Sequence, residues 1–283
     1  MTYGKKITLF LMDGKQDGRI SCELSNWTGK AYRIPHSLIR QCSDKPDLDN
    51  AGVYILFGKS DDPGKEGRAY IGEADGIRRR LEQHLVQKDF WNDAIVFISK
   101  DNNLNKAHIK YLESKLHEIA AKTDRYKLEN SNKPTRSTIS EPDMAEMEEF
   151  IDNIKLLIGT LGFKIFEPLV SPNETARQEL LFIRSTRGAD AQGIRTPEGF
   201  VVLKDSRIAT EMTNSYAENY RTMRERLLAD HTIIADGNGL RLTKDMLFSS
   251  ASTAASIVMG RSANGLTEWK TQDGRILKAL ETN

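Results

Sequence analysis

The alternation of strand-type and helix-type apolar patterns along this chain predicts a mixed α/β fold of the α+β type, in two domains. Three observations carry that prediction. Short β-branched and aromatic runs stand at Gly52–Phe57, Arg68–Gly72 and Ala94–Ser99. Segments with apolar residues three and four apart separate and follow them, as helices require. After about residue 170 the composition turns to Ser, Thr, Asn, Gly and Pro, and a second set of short apolar runs begins. The boundaries that follow are an N-terminal hairpin extension at 1–50, a first domain at 51–135, a helix and linker at 136–177, and a second α+β domain at 178–283.

Taken in order, Ile7–Met12 is an apolar strand, Asp13-Gly14 and Asp17-Gly18 are turn signals, and Arg19–Leu24 is the return strand of a hairpin. Trp27 and Tyr32 are its expected packing residues. The strands at Gly52–Phe57 and Arg68–Gly72 flank a polar loop, 60–67, and form a second hairpin. A helix opens at Asp75 or Gly76, with Ile77, Leu81 and Leu85 on one face. The strand Ala94–Ser99 precedes a helix from about Asn105 to Lys122, whose stripe is Ile109, Leu112, Leu116 and Ile119. A third helix runs from about Pro142 to Leu161. Its Met144, Met147, Ile151, Ile154, Ile158 and Leu161 form either a core stripe or the seam of a homodimer. Its first turns are acidic, which suits a helix N-terminus and repels phosphate. Residues 171–177 and 184–199 read as linkers or long loops around a short strand, Leu180–Ile183. Gly199–Lys204 is a strand, Tyr216–Asp230 a helix with basic residues, and 249–260 a polar stretch of small residues.

The formal charge of +1 excludes a strongly basic surface, so any nucleic-acid contact has to come from local clusters of Lys and Arg. Two cysteines, Cys22 and Cys42, without a CxxC pair or a Cys/His cluster, argue against a disulfide framework or structural zinc and for reduced thiols in a cytoplasmic protein. No stretch approaches the length of a membrane span.

Residues able to act on a phosphate ester converge in the first domain. Hydrolysis needs a base for water, cations for the charge that develops on phosphorus, and stabilisation of the leaving oxygen. Tyr54 and Tyr70 lie on adjacent strands. Arg80 and His84 are four apart and share a helix face beside the apolar stripe. Glu113 stands at the edge of the next helix's apolar face, where a carboxylate can reach a metal. Each alone has a structural explanation: packing tyrosines, a solvated arginine, an exposed glutamate.

Gly52-Val53-Tyr54 and Tyr70-Ile71-Gly72 resemble the two tripeptides that name the GIY-YIG nucleases. Downstream, Arg80-Leu81-Glu82-Gln83-His84 resembles that family's R-L-x-x-H segment, and Tyr111-Leu112-Glu113 its metal-binding helix. The resemblance spans roughly 51–134. It implies a small mixed β-sheet flanked by helices and one divalent cation, Mg²⁺ or alternatively Mn²⁺, held by Glu113. It also implies catalytic roles for Tyr54, Tyr70, Arg80 and His84, with Tyr54 the leading general base, and DNA as substrate. Asn130, or else Asn132, matches an asparagine that follows the helix. Glu73 is an extra carboxylate near the expected phosphate, and His117, one turn after Glu113, is read as structural or as a support for the metal ligand. Residues 178–283 resemble an accessory module of unknown function, DUF4357. There Arg221, Arg224, Arg261, Lys270 and Arg275 are candidate phosphate contacts, and Asn264 and Trp269 candidate base contacts. The competing reading is a non-catalytic nucleic-acid-binding protein that keeps the fold.

Overall fold

The computed structural model describes residues 3–60, 62, 65–170, 179–214, 216–237 and 239–280. The chain divides into two compact units, 1–61 with 65–167, and 168–283 with 62–64. Both are α+β. The linker read at 171–177 lies outside the described residues.

The first unit is one seven-stranded sheet. In chain order its elements are β1 (Ile7–Leu11), β2 (Ile20–Leu24), β3 (Gly29–Pro35), two 3₁₀ segments (His36–Asp44 and Pro46–Asp49), β4 (Gly52–Gly58), β5 (Gly67–Ala74), α1 (Ile77–Gln87), β6 (Asp93–Ser99), α2 (Lys106–Thr123), β7 (Tyr126–Leu128) and α3 (Glu141–Thr160). The strand order is β1-β2-β3-β6-β4-β5-β7, antiparallel throughout except β5–β7. The N-terminal hairpin is therefore continuous with the sheet of 51–135, joined to it by β3 on β6. Nothing in the apolar pattern announced β3. Its Lys30 and Arg33 interrupt the run, and tertiary pairing overrides that signal.

Strand alternation gives the sheet two cores. Val53, Ile55, Phe57, Ile71, Ile95 and Phe97 face α2 and α3. Tyr54, Leu56, Val96 and Ile98 face α1 and the 3₁₀ segments. α2 starts where Asn105 accepts hydrogen bonds from the N–H groups of Ala107 and His108, at 2.9 and 3.0 Å. The hairpin is secured at both ends. Trp27 packs on Phe150, ring centroids 4.7 Å apart, and buried Arg19 donates to Asp13 and Asp44.

The stripe on α3 belongs to the core. Met147, Ile151, Ile154 and Ile158 are buried against the sheet, and only Met144 stands at a third or more exposed. Of the two readings of this stripe, core or homodimer seam, burial supports the core, because those side chains already have partners within the unit.

The second unit has β8 (Leu181–Arg184), β9 (Asp190–Thr196), β10 (Gly199–Val202), β11 (Arg207–Ile208), α4 (Glu218–Ala229), β12 (Ile233–Asp236), β13 (Gly239–Leu242), β14 (Met246–Phe248), α5 (Ala251–Met259), α6 (Gly265–Glu268) and α7 (Leu277–Leu280). Its sheet runs β12-β13-β11-β9-β10-β14, with β8 also on β9. The segment 184–199, read as a loop, contains β9. Its residues are polar on the exposed side and only Ala191, Gly193 and Ile194 are buried, so no apolar run marks it. The small-residue stretch becomes α5, whose last six residues are all buried. Among the described residues no helix is long and apolar enough to cross a membrane.

Two substitutions on α3 check its role. Ile154→Ala should lower the stability of the first unit by about 2–5 kcal/mol in denaturant titration. Met144→Lys, one of the outward positions, should change it by less than about 0.5 kcal/mol.

Candidate functional site

Cross-strand register brings the site together. Tyr54 on β4 faces Gly72 on β5, and Leu56 faces Tyr70, so both phenols rise on the α1 side of the sheet. The missing Cβ at Gly72 is what lets the Tyr54 ring lie across β5. A Cβ there would meet Tyr54 Cζ at 2.5 Å and Tyr70 Cε1 at 3.0 Å. The third residue of the Tyr70-Ile71-Gly72 word is thus a packing requirement of the first word's tyrosine.

α1 lays Arg80 and His84 over this platform. Tyr54 Oη and His84 Nε2 are 2.8 Å apart, and Arg80 Nε donates to Tyr54 Oη at 3.4 Å. With that oxygen accepting from Arg80, its own proton goes to His84 Nε2 as the acceptor of a neutral imidazole. Burial, with the charges of Arg80 and Lys88, pushes His84 down to about 4, which keeps the ring neutral. Its Nδ1 has no hydrogen-bond partner among the described residues. Lys88, one turn further on, sits over the Tyr70 ring with Nζ 4.1 Å from the centroid. The sequence analysis missed Lys88; its i+4 spacing from His84 was the available signal.

Burial changes the role open to Tyr54. Its side chain has no exposed surface, and desolvation, then the Tyr70 phenol, raises its pKa above that of an ordinary tyrosine. A general base must touch water and hold its proton loosely. Burial and the raised pKa both stand against that role for Tyr54, and Tyr70, half-buried beside it, is the phenol within reach of solvent. His84 was expected to border the sheet without being buried; it is 1% exposed.

Glu113 projects from α2, which packs on the opposite face of the sheet. The two faces meet at the rim of β5. There Glu113 lies within electrostatic reach of Arg80 and of the Tyr54 hydroxyl, beside Glu73, Lys106 and Lys110. Burial, then the neighbouring Glu73, pushes its carboxyl up to about 7. Glu73 itself pairs with Lys106 at 2.8 Å, which offsets part of its charge. His117, one turn on, is half-buried with Nδ1 unpartnered among the described residues.

β7 pairs with β5 only as far as Ala69. Beyond it the Asn130 side chain continues the ladder, accepting from Ile71 N–H at 3.1 Å and donating to Ile71 C=O at 2.8 Å. Both ends of the amide thus brace the strand that carries Tyr70. Asn132 has an exposed side chain and no such tie.

In the second unit, residues 181–281 match the family model of a domain of unknown function, DUF4357. No curated protein and no solved structure matches the chain. The DUF4357 module uses internally most of the side chains expected to contact nucleic acid. Trp269 is wholly buried against Phe200, donating to the Ala251 carbonyl at 3.0 Å, and cannot meet a base. Arg224 is 1% exposed and donates to the Ile257 and Ala209 carbonyls. Asn264 caps α6 by accepting from Leu266 N–H, Arg261 pairs with Glu268, and Arg275 pairs with Glu179 and Asp273. Lys270 keeps an exposed side chain while its backbone bridges Phe182. Arg221 pairs within its own helix with Glu218.

As to the cation, no group of three or more His, Cys, Asp and Glu side chains converges among the described residues. A closed protein cage is therefore not built here. A single carboxylate of raised pKa is under-neutralised, and Mg²⁺ commonly takes one carboxylate while keeping several waters. Glu113 fits that mode.

Two outcomes follow from this geometry. Gly72→Ala should cost about 1–3 kcal/mol and disturb the Tyr54–His84 contact, seen as altered tyrosine near-ultraviolet circular dichroism. For Glu113, a folded-state pKa above the unfolded one means its ionisation opposes folding as pH rises from about 4.5 to about 7. Glu113→Gln should therefore match wild type at pH 4 and exceed it by about 1–3 kcal/mol at pH 8, measured by denaturant titration at both pH values without divalent cations.

Proposed function

We propose that the first unit is a metal-dependent phosphodiesterase of the GIY-YIG type that cuts DNA. The observation that carries this reading is the meeting of a phenol pair, a guanidinium and a neutral imidazole on one side of β5 with a carboxylate of raised pKa at its rim. Neighbouring groups whose pKa values are perturbed by burial and by one another are candidates for chemistry.

In this reading Glu113 holds the divalent cation, which supplies Lewis-acid neutralisation of phosphate charge. Arg80 binds the scissile phosphate, its planar fork suited to two oxygens. Tyr70, with Lys88 on its ring, orients the attacking water and the phosphate. Tyr54 and His84 act as positioning residues: the phenol accepts one Arg80 N–H and donates its own O–H to the imidazole, which fixes the guanidinium over β5. Local positive charge from Lys88, Lys110 and Lys133, each felt by a site residue, draws in the polyanion despite the near-zero net charge. The DUF4357 module serves chiefly to build and orient, since its aromatic and arginine candidates are engaged internally.

A second reading, a non-catalytic DNA-binding protein, is favoured by one observation: the complete burial of Tyr54.

Incubation of supercoiled plasmid with Mg²⁺ separates the two. Wild type should nick or linearise DNA, Arg80→Ala and Glu113→Ala should each lose about 100-fold or more, and Tyr70→Phe should lose more than Tyr54→Phe. Activity should fall as pH is lowered, because a proton on Glu113 competes with the cation, and more Mg²⁺ should move that fall to lower pH. Retarded DNA without cleavage in every variant would establish the second reading instead.

A further inference from the structure

β1 is the outermost strand of the first sheet, antiparallel to β2 and paired with no other described strand. Two hydrogen bonds fix which of its backbone groups face inward. Ser25 N–H donates to the Lys6 carbonyl and Met12 N–H to the Arg19 carbonyl, both at 3.0 Å. Bonding residues alternate along an antiparallel ladder. Thr8 and Phe10 therefore also bond inward, and the N–H and C=O groups of Ile7, Leu9 and Leu11 point out of the sheet.

Sheet edges are ordinarily blunted by charge, proline, bulges or a covering element. β1 has none of these. It is Ile-Thr-Leu-Phe-Leu, uncharged, with Leu9 49%, Phe10 61% and Leu11 40% exposed.

We propose that β1 is a self-association edge, on which a second copy of this chain pairs antiparallel about a two-fold axis at Leu9. The strand is its own complement in that register. Leu9 faces Leu9, and Ile7 faces Leu11 at both ends, so every outward N–H and C=O of the three residues finds a partner. Those side chains, from the face of β1 shared with Cys22 and Leu24, meet as an all-aliphatic row. On the other face Phe10 meets Thr8, the aromatic and β-branched pairing that stabilises antiparallel strands. Shifting the axis to Thr8 or Phe10 leaves one outward residue unpaired. A five-residue edge is well below the roughly 800 Å² per partner of a stable interface. The dimer therefore forms with rising concentration rather than obligately. Its isologous symmetry is that of most homo-oligomers.

The full-length chain, studied by sedimentation velocity from low to high micromolar concentration, tests this independently of any nuclease activity. Wild type should shift from monomer to dimer. Leu9→Pro removes only an outward-facing donor, because proline is tolerated where a strand's N–H faces away from its partner. It should raise the dimer dissociation constant at least about tenfold with unchanged far-ultraviolet circular dichroism. Leu9→Cys should cross-link between copies under mild oxidation, since directly opposed residues lie about 5.5 Å apart at Cα, within disulfide reach. Phe10→Cys, opposite Thr8, should stay uncross-linked; the native Cys22 and Cys42 are buried. A monomer at every concentration overturns the proposal and leaves the edge to a strand of some other protein. A dimer that cross-links through position 10 and not position 9 overturns it too.

Discussion

The Tyr54 hydroxyl is a polar atom that water does not reach, and much of the first unit is arranged to satisfy it. Leaving such a group unpaired costs about 1–3 kcal/mol. Two groups on α1 meet it, His84 Nε2 and Arg80 Nε, so the helix is held to the sheet at the point where the sheet is thinnest, over Gly72. One hydrogen-bonded phenol thereby ties together the guanidinium and the imidazole on α1. The burial that makes the phenol a good anchor is what makes it a poor base.

Charge is distributed with the same economy. Around β5 lie Glu73, Glu113, Lys106 and Arg80; Lys106 pairs with Glu73, while burial holds the Glu113 carboxyl above its ordinary value. In the DUF4357 module the buried Arg224 has no carboxylate partner among the described residues. It sits among the carbonyls at the end of α5, where the helix dipole is negative and Gly260 turns the chain with φ 63°. Arginine tolerates this site because its planar fork spreads one charge over several acceptors.

Much of this was legible in the sequence. The strands around Tyr54 and Tyr70, the two helices behind them and the stripe of α3 follow from residue period alone. The tripeptide words located the phenols, and their spacing to Arg80 and His84 placed both on one helix face. What escaped was set by pairing rather than by local pattern. β3 carries charges in a central position, and β9 is polar on its exposed side. The Asn130 amide acts as a piece of backbone, and the burial of Tyr54, Trp269 and Arg224 depends on elements far away in the chain. Periodicity separates one face of an element from the other. It does not tell whether a polar tip on the inner face meets solvent or another residue.

The Asn130 amide has one more effect. By completing the hydrogen bonding of β5 past the three-residue β7, it leaves that flank of the sheet with little backbone to offer an incoming chain. The opposite flank, at β1, is open. A ribbon that can grow at only one end stops once two such ends have met, so lateral association yields a closed pair and not a fibre.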